Sequence, residues 1–155
     1  MNVLIVYFSK FGNTQLVAEK IAETIVATNG KDGSVRVISS DQLVAVDLES
    51  ADLVVMGTPT HQMNLPEAVR PAMDRLPQKV LQGKAVAAFD TSYKMSAFLA
   101  RFTAAKKLNK KLRKLGGKQV VPPETFHVVD REGPLYQGEL EHAQTWAGGI
   151  IGRLG

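Results

Sequence analysis

The residues Ser9-Lys10-Phe11-Gly12-Asn13-Thr14 form a short segment in which two hydroxyls bracket a lysine and a glycine. The apolar run Val3-Leu4-Ile5-Val6-Tyr7-Phe8 precedes it, and a stretch with helical spacing follows. A strand therefore delivers hydroxyls and backbone N–H groups to the start of a helix. Converging N–H donors and the positive end of the helix dipole stabilise a dianion there, so the chemistry expected is capture of a phosphate group. Other chemistries lack their residues. There is no cysteine, which excludes disulfides, thiolate metal sites, iron–sulfur clusters and a thiol nucleophile. No Gly-x-Gly-x-x-Gly, no Gly-Lys-Ser/Thr and no nucleophile-elbow pattern occurs. His61, His127 and His142 show no metal-ligand spacing. The first apolar run ends without acids, which argues against a Mg²⁺-dependent phospho-receiver.

The elements that must position this turn follow from the pattern of apolar residues. Residues 2–8 read as a buried strand, nearly continuously apolar. Asn13 to Asn29 reads as a helix, with Leu16, Ile21 and Ile25 at near-helical spacing and Asn29-Gly30 as its stop. Val35–Ile38 and Ala51–Gly57 read as the second and third strands, and Thr58 to Pro66 as a loop. A helix is expected from about Pro66 to Leu76, broken or kinked at Pro71. Ala85–Phe89 reads as the fourth strand, followed by the polar segment Asp90-Thr91-Ser92-Tyr93.

Met95 to Leu115 is expected as one long helix, with a core stripe of Met95, Phe98, Phe102, Ala105, Leu108, Leu112 and Leu115. Gln119-Val120-Val121 starts a fifth strand, Pro122-Pro123 interrupts it, and Phe126–Val129 resumes or replaces it. Gly138 to about Leu154 reads as the last helix, with Leu140, Trp146 and Ile150 inward. Strands alternating with helices give an α/β fold: one domain over residues 1–155, doubly wound, with a five-stranded parallel sheet covered by helices on both faces. Ligands of such folds sit beyond the C-terminal strand ends, where the loops after strands one, three and four open together.

Those three loops resemble the flavodoxin family, whose members bind flavin mononucleotide (FMN), and the resemblance spans essentially the whole chain. The family's first-loop pattern is Ser/Thr-x-Thr-Gly-x-Thr; Ser9, Gly12 and Thr14 match it, and Phe11 departs from it. The resemblance implies strand order 2-1-3-4-5 and a phosphate held by Ser9, Thr14 and the N–H groups of residues 10–14, with Lys10 as an available point charge. Gly57-Thr58-Pro59-Thr60-His61 is similar to the matching loop of flavodoxin-like quinone reductases. By that likeness Thr58, Pro59, Thr60, His61, Gln62 and Met63 border the isoalloxazine ring, with His61 or Met63 in contact. A flat or polarizable side chain suits a π-system. The third loop places Tyr93 for stacking on the outer ring face and residues 90–93 against the pyrimidine edge. Asp90 near that edge would disfavour negative charge on the reduced flavin.

The implied function is that of a short-chain electron carrier, with a redox protein or a small quinone or nicotinamide as partner. Two alternatives stand beside it: an NAD(P)H-dependent quinone or flavin reductase on the same fold, and a phosphate-ligand domain without flavin, which the departure at Phe11 motivates. The composition, 45% apolar and 22% charged, is that of an ordinary globular domain, and no apolar run approaches a membrane span or a secretory signal, so a cytoplasmic protein is expected.

The net charge of +4 conceals an asymmetry. Nine Lys and Arg lie between Lys94 and Lys118 without an acid; the remainder carries ten bases against fifteen acids. A solvated helix face is one reading of this segment, and an acidic partner for the face from Arg101 to Lys118 is the other. Nucleic acid is disfavoured because no aromatics interleave the distal bases from Lys106 to Lys114. On one long helix the distal bases would stand about 28 Å from its start, leaving only Lys94 and Arg101 beside the loops.

Overall fold

The computed structural model describes residues 1–61 and 64–155. Six strands make one parallel sheet: β1 (Asn2–Tyr7), β2 (Ser34–Ser39), β3 (Leu53–Pro59), β4 (Ala85–Tyr93), β5 (Lys118–Gln119) and β6 (Glu124–Val128). The order is β2-β1-β3-β4, and β5 and β6 both pair with β4, at Ala85–Val86 and Phe89–Tyr93 respectively. Together β5 and β6 form the expected fifth strand, interrupted at Pro122-Pro123 because proline cannot donate to the ladder. The doubly wound order 2-1-3-4-5 is thus as the sequence implies.

Side-chain alternation along the strands divides the interior in two. Val3, Ile5, Leu53, Val55, Ala87 and Phe89 face the helices α1 (Asn13–Thr28) and α5 (Glu139–Leu154), meeting Val17, Ile21, Ile25, Trp146 and Ile150. Leu4, Val6, Val54, Met56, Val86 and Ala88 face the other layer: α2 (Ala45–Glu49), α3 (Val69–Asp74) and α4 (Ala104–Lys114). Burial on both faces explains why β1 and β3 read as unbroken apolar runs. Phe89, Phe126 and Trp146 form an edge-to-face trio with centroids 5.9 to 6.0 Å apart.

Several boundaries differ from the expected ones. β4 runs on through Asp90 to Tyr93, so the third polar segment is strand. α3 starts at Val69, not Pro66, and Pro71 falls in its first turn, where a missing N–H breaks no helical bond. The largest correction concerns Met95–Leu115, which is not one helix. A 3-10 turn at Leu99–Phe102 is followed by extended Thr103 (φ −64°, ψ 153°), and α4 begins only at Ala104. Phe98 and Phe102 lie 64% and 45% exposed and pack on each other instead of on the core. The extended β4 carries the chain past the sheet edge. A returning helix finds apolar sheet to cover only from Ala104, Ala105, Leu108 and Leu112 onward. Leu16 and Leu140 are also surface residues; Val17, Ala18 and Ala143 take the inward positions.

Candidate functional site

The C-terminal ends of β1, β3, β4 and β6 border a cleft of about 550 Å³, beside the point where the strand order switches between β1 and β3. Ser9, Lys10, Phe11, Asn13 and Thr14 line it from the first loop, Pro59, Thr60 and His61 from the second, and Thr91, Ser92 and Tyr93 from the end of β4. Three separated segments of sequence are thereby brought to one place.

The first wall is the turn into α1. Gly12 has φ +91°, in the left-handed region where a Cβ is strained, and its N–H donates to Ser9 Oγ at 3.1 Å. The helix begins there: Leu16 N–H donates to Gly12 O, leaving the N–H groups before it without intrahelical acceptors. The first turn of α1 contains no acid and receives no side-chain cap. Thr14 Oγ1 is buried and lies 2.9 Å from Thr91 Oγ1, which joins α1 to β4 under the cleft. Asn13 Nδ2 donates to Glu132 O at 3.1 Å and holds the loop after β6 against the same turn.

The second wall is the loop after β3. Thr60 N–H donates to Thr91 O at 2.9 Å, and His61 and Asn64 exchange two backbone hydrogen bonds of 2.8 and 2.9 Å. His61 is exposed at the cleft. Gln62 and Met63 lie outside the described residues. Tyr93 closes the third wall, 43% exposed. Ser92 lines the cleft with a buried hydroxyl that finds no partner among the described residues.

Thr58 and Asp90 do not line the cleft. Strand alternation turns both toward the α4 layer, and both are fully buried. Thr58 Oγ1 donates to Pro59 O at 3.1 Å. Asp90 Oδ2 accepts from Thr60 Oγ1, which in turn accepts from Ala104 N–H at 3.3 Å. Desolvation raises the pKa of Asp90 above the ordinary carboxylate value, opposed by hydrogen bonds from Thr125, Thr60 and the backbone N–H groups of Ala105 and Ala104. Asp90 thus supports the second loop and the start of α4 from beneath.

Two lining residues, Val128 and Arg131, escaped the sequence reading. The rule that ligands sit beyond every C-terminal strand end could have found them, because both follow the fifth-strand segment β6. Arg131 and Lys10 are the charged residues of the described lining, so the cleft carries positive charge.

A family model described as the flavodoxin domain matches residues 4–143. The chain belongs to the flavodoxin domain family. A curated flavodoxin from Clostridium saccharobutylicum is 29% identical over 92 residues, a match spanning 59% of this chain and 56% of that protein. Among solved structures, oxidised flavodoxin 1 from Bacillus cereus superposes with a TM-score of 0.76 at 21% identity, each chain covered completely. A flavodoxin from the domain Archaea superposes with a TM-score of 0.75 at 22% identity over 99% of both chains. At these identities the structures speak for the flavodoxin fold. Like any protein of that fold, this one has its loops gathered at one sheet edge, and no helix of the described residues is long and apolar enough to cross a membrane.

Proposed function

We propose that this protein binds FMN in the cleft and carries electrons between redox partners. The observation that carries the reading is the turn at Gly12, which aims an acid-free, uncapped helix N-terminus into a positively charged cleft. That site suits the dianionic phosphate of FMN. Thr14, Ser9, Lys10, Arg131 and the N–H groups of residues 10–14 would hold it; Asn13 fixes the turn against the loop after β6. The unpartnered hydroxyl of Ser92 suits a polar ring edge, and Tyr93, Pro59 and His61 offer flat or apolar contact at the walls. FMN, when bound, supplies reversible one- and two-electron chemistry. The chain's part is placement: Thr91 and Thr14 tie the cradle to the sheet, and Thr60, braced on Asp90, sets the second wall.

Titration of the purified protein with FMN and with riboflavin tests this reading. Two charge-assisted hydrogen bonds to phosphate contribute at least ~3 kcal/mol, so FMN should bind about a hundredfold more tightly than riboflavin. Equal affinities, or no binding of either, would overturn it.

A further inference from the structure

Building on the reading of an FMN electron carrier, we infer that α4 and the 3-10 turn before it form the docking surface for an acidic redox protein. The cations of α4 fall on two adjacent stripes, Lys106-Lys110-Arg113 and Lys107-Lys111-Lys114, each at i, i+4, i+7 spacing. The opposite side of the helix, Ala104, Ala105, Leu108 and Leu112, is buried on the sheet. Like charges at i, i+4 weaken a helix, and α4 contains no acid to offset them. Across the helix, Lys111 reaches Asp74 only at 4.0 Å, and Lys110, Arg113 and Lys114 stand exposed. The helix dipole offsets this for the last-turn cations Lys111, Arg113 and Lys114 but not for Lys106, Lys107 and Lys110, so part of the positive face is kept at a cost to the helix.

The face begins at the cleft. Because the helix starts at Ala104 and not at Met95, its first N–H, that of Ala104, meets Thr60 of the cleft wall. Lys107 Nζ donates to Asn64 Oδ1 at 3.0 Å in the same loop. Lys114 then stands about 15 Å along the helix from Ala104, in place of the about 28 Å from Met95 that a single long helix would impose. An apolar element adjoins them. Phe98 and Phe102 pack edge to face at 5.8 Å, with the Arg101 guanidinium 6.0 Å from the Phe98 ring, and Lys106 Nζ fastens the turn through Ala100 O at 3.2 Å. Exposed aromatics with an arginine, bordered by lysines, have the make-up of a protein interface core and its rim.

The rest of the chain carries ten bases against fifteen acids, so α4 and its flanks hold the molecule's excess positive charge. That concentrated charge draws an approaching acidic surface to this face. A lipid surface fits less well, because the apolar side of α4 is already buried in the core. A nucleic acid fits less well, because no aromatic interleaves the lysines on α4 for base stacking.

The test uses a plant-type [2Fe–2S] ferredoxin with an acidic surface as probe, and the FMN-loaded protein. Stopped-flow electron transfer from reduced ferredoxin and binding of oxidised ferredoxin by calorimetry are both measured against ionic strength. At low salt, Lys110→Glu/Lys114→Glu should lower the transfer rate and the affinity about tenfold or more, the difference fading at high salt. Phe98→Ala should weaken binding at every salt concentration without changing the salt slope. FMN affinity and the rate of reduction by dithionite should be unchanged in both variants. Ferredoxin rates and affinities that ignore the charge reversal would overturn the inference. So would a reversal that abolishes binding to anionic vesicles or to an oligonucleotide while leaving ferredoxin untouched. A protein that fails to hold FMN would instead sink the carrier reading, while the ferredoxin binding isotherm still tests the surface.

Discussion

Gly12→Ala isolates the feature on which the phosphate reading turns. A Cβ built on Gly12 meets nothing within 4 Å, so the substitution adds no clash. What it adds is conformational: at φ +91° an L-residue is held in the left-handed region, at a cost of roughly 1–2 kcal/mol. The cost can surface in two places. If the turn keeps its shape without ligand, stability falls by that amount and FMN affinity is unchanged. If the empty turn relaxes to negative φ, stability is preserved and FMN must restore the strained shape, lowering affinity about 5- to 30-fold. Urea unfolding at saturating FMN captures the sum of the two terms, so the holo-protein should lose roughly 1–2 kcal/mol in either case. Riboflavin affinity should not change, because only the phosphate uses the turn. Gly12→Asn should recover part of the loss, since asparagine tolerates the left-handed region better. A holo-protein as stable as wild type, or equal losses for FMN and riboflavin, would refute the reasoning.

The remaining predictions concern the supports of the cleft. Asp90 keeps its proton to higher pH when folded than when unfolded, so the folded state binds more protons in that window. Its contribution to stability is therefore largest below about pH 4 and falls as pH rises toward the folded value, by at most about 1.4 kcal/mol per pH unit; Asp90→Asn should remove this slope in urea titrations from pH 4 to 8. Thr14→Val orphans the buried Thr91 hydroxyl and should cost about 1–3 kcal/mol in chemical denaturation, with Thr14→Val/Thr91→Val less harmful than the two single losses added. Gly57→Ala would set a Cβ 2.1 Å from Phe89 Cζ, inside the aromatic trio, and should cost at least about 1–3 kcal/mol, partly recovered by Phe89→Leu. As a carrier, the FMN-loaded protein should show almost no turnover of NADH or NADPH with a quinone; sustained turnover in a spectrophotometric assay would favour the reductase alternative.

Much of this protein is written in local pattern. β1 and β3 are apolar without interruption because both sheet faces are covered, and this shows in the sequence as an unbroken run. The turn from Ser9 to Thr14 is equally local: a strand end, a glycine and a helix start suffice to specify an anion cradle. Their order along the chain was enough for the doubly wound sheet and for the family resemblance. Three things depended on tertiary structure. Asp90 and Thr91 are neighbours in sequence, yet strand alternation turns one toward α4 and the other toward Thr14, because β4 continues past Phe89. Arg131 enters the cleft on a loop that Asn13 holds through Glu132 O, 119 residues away in the chain. The spacing of Met95, Phe98 and Phe102 satisfies a helix, but periodicity records which residues could share a face, not whether a partner surface lies beneath them. At Ala104 the chain's N–H meets Thr60, itself bonded to Asp90, and the helix starts where there is core to cover.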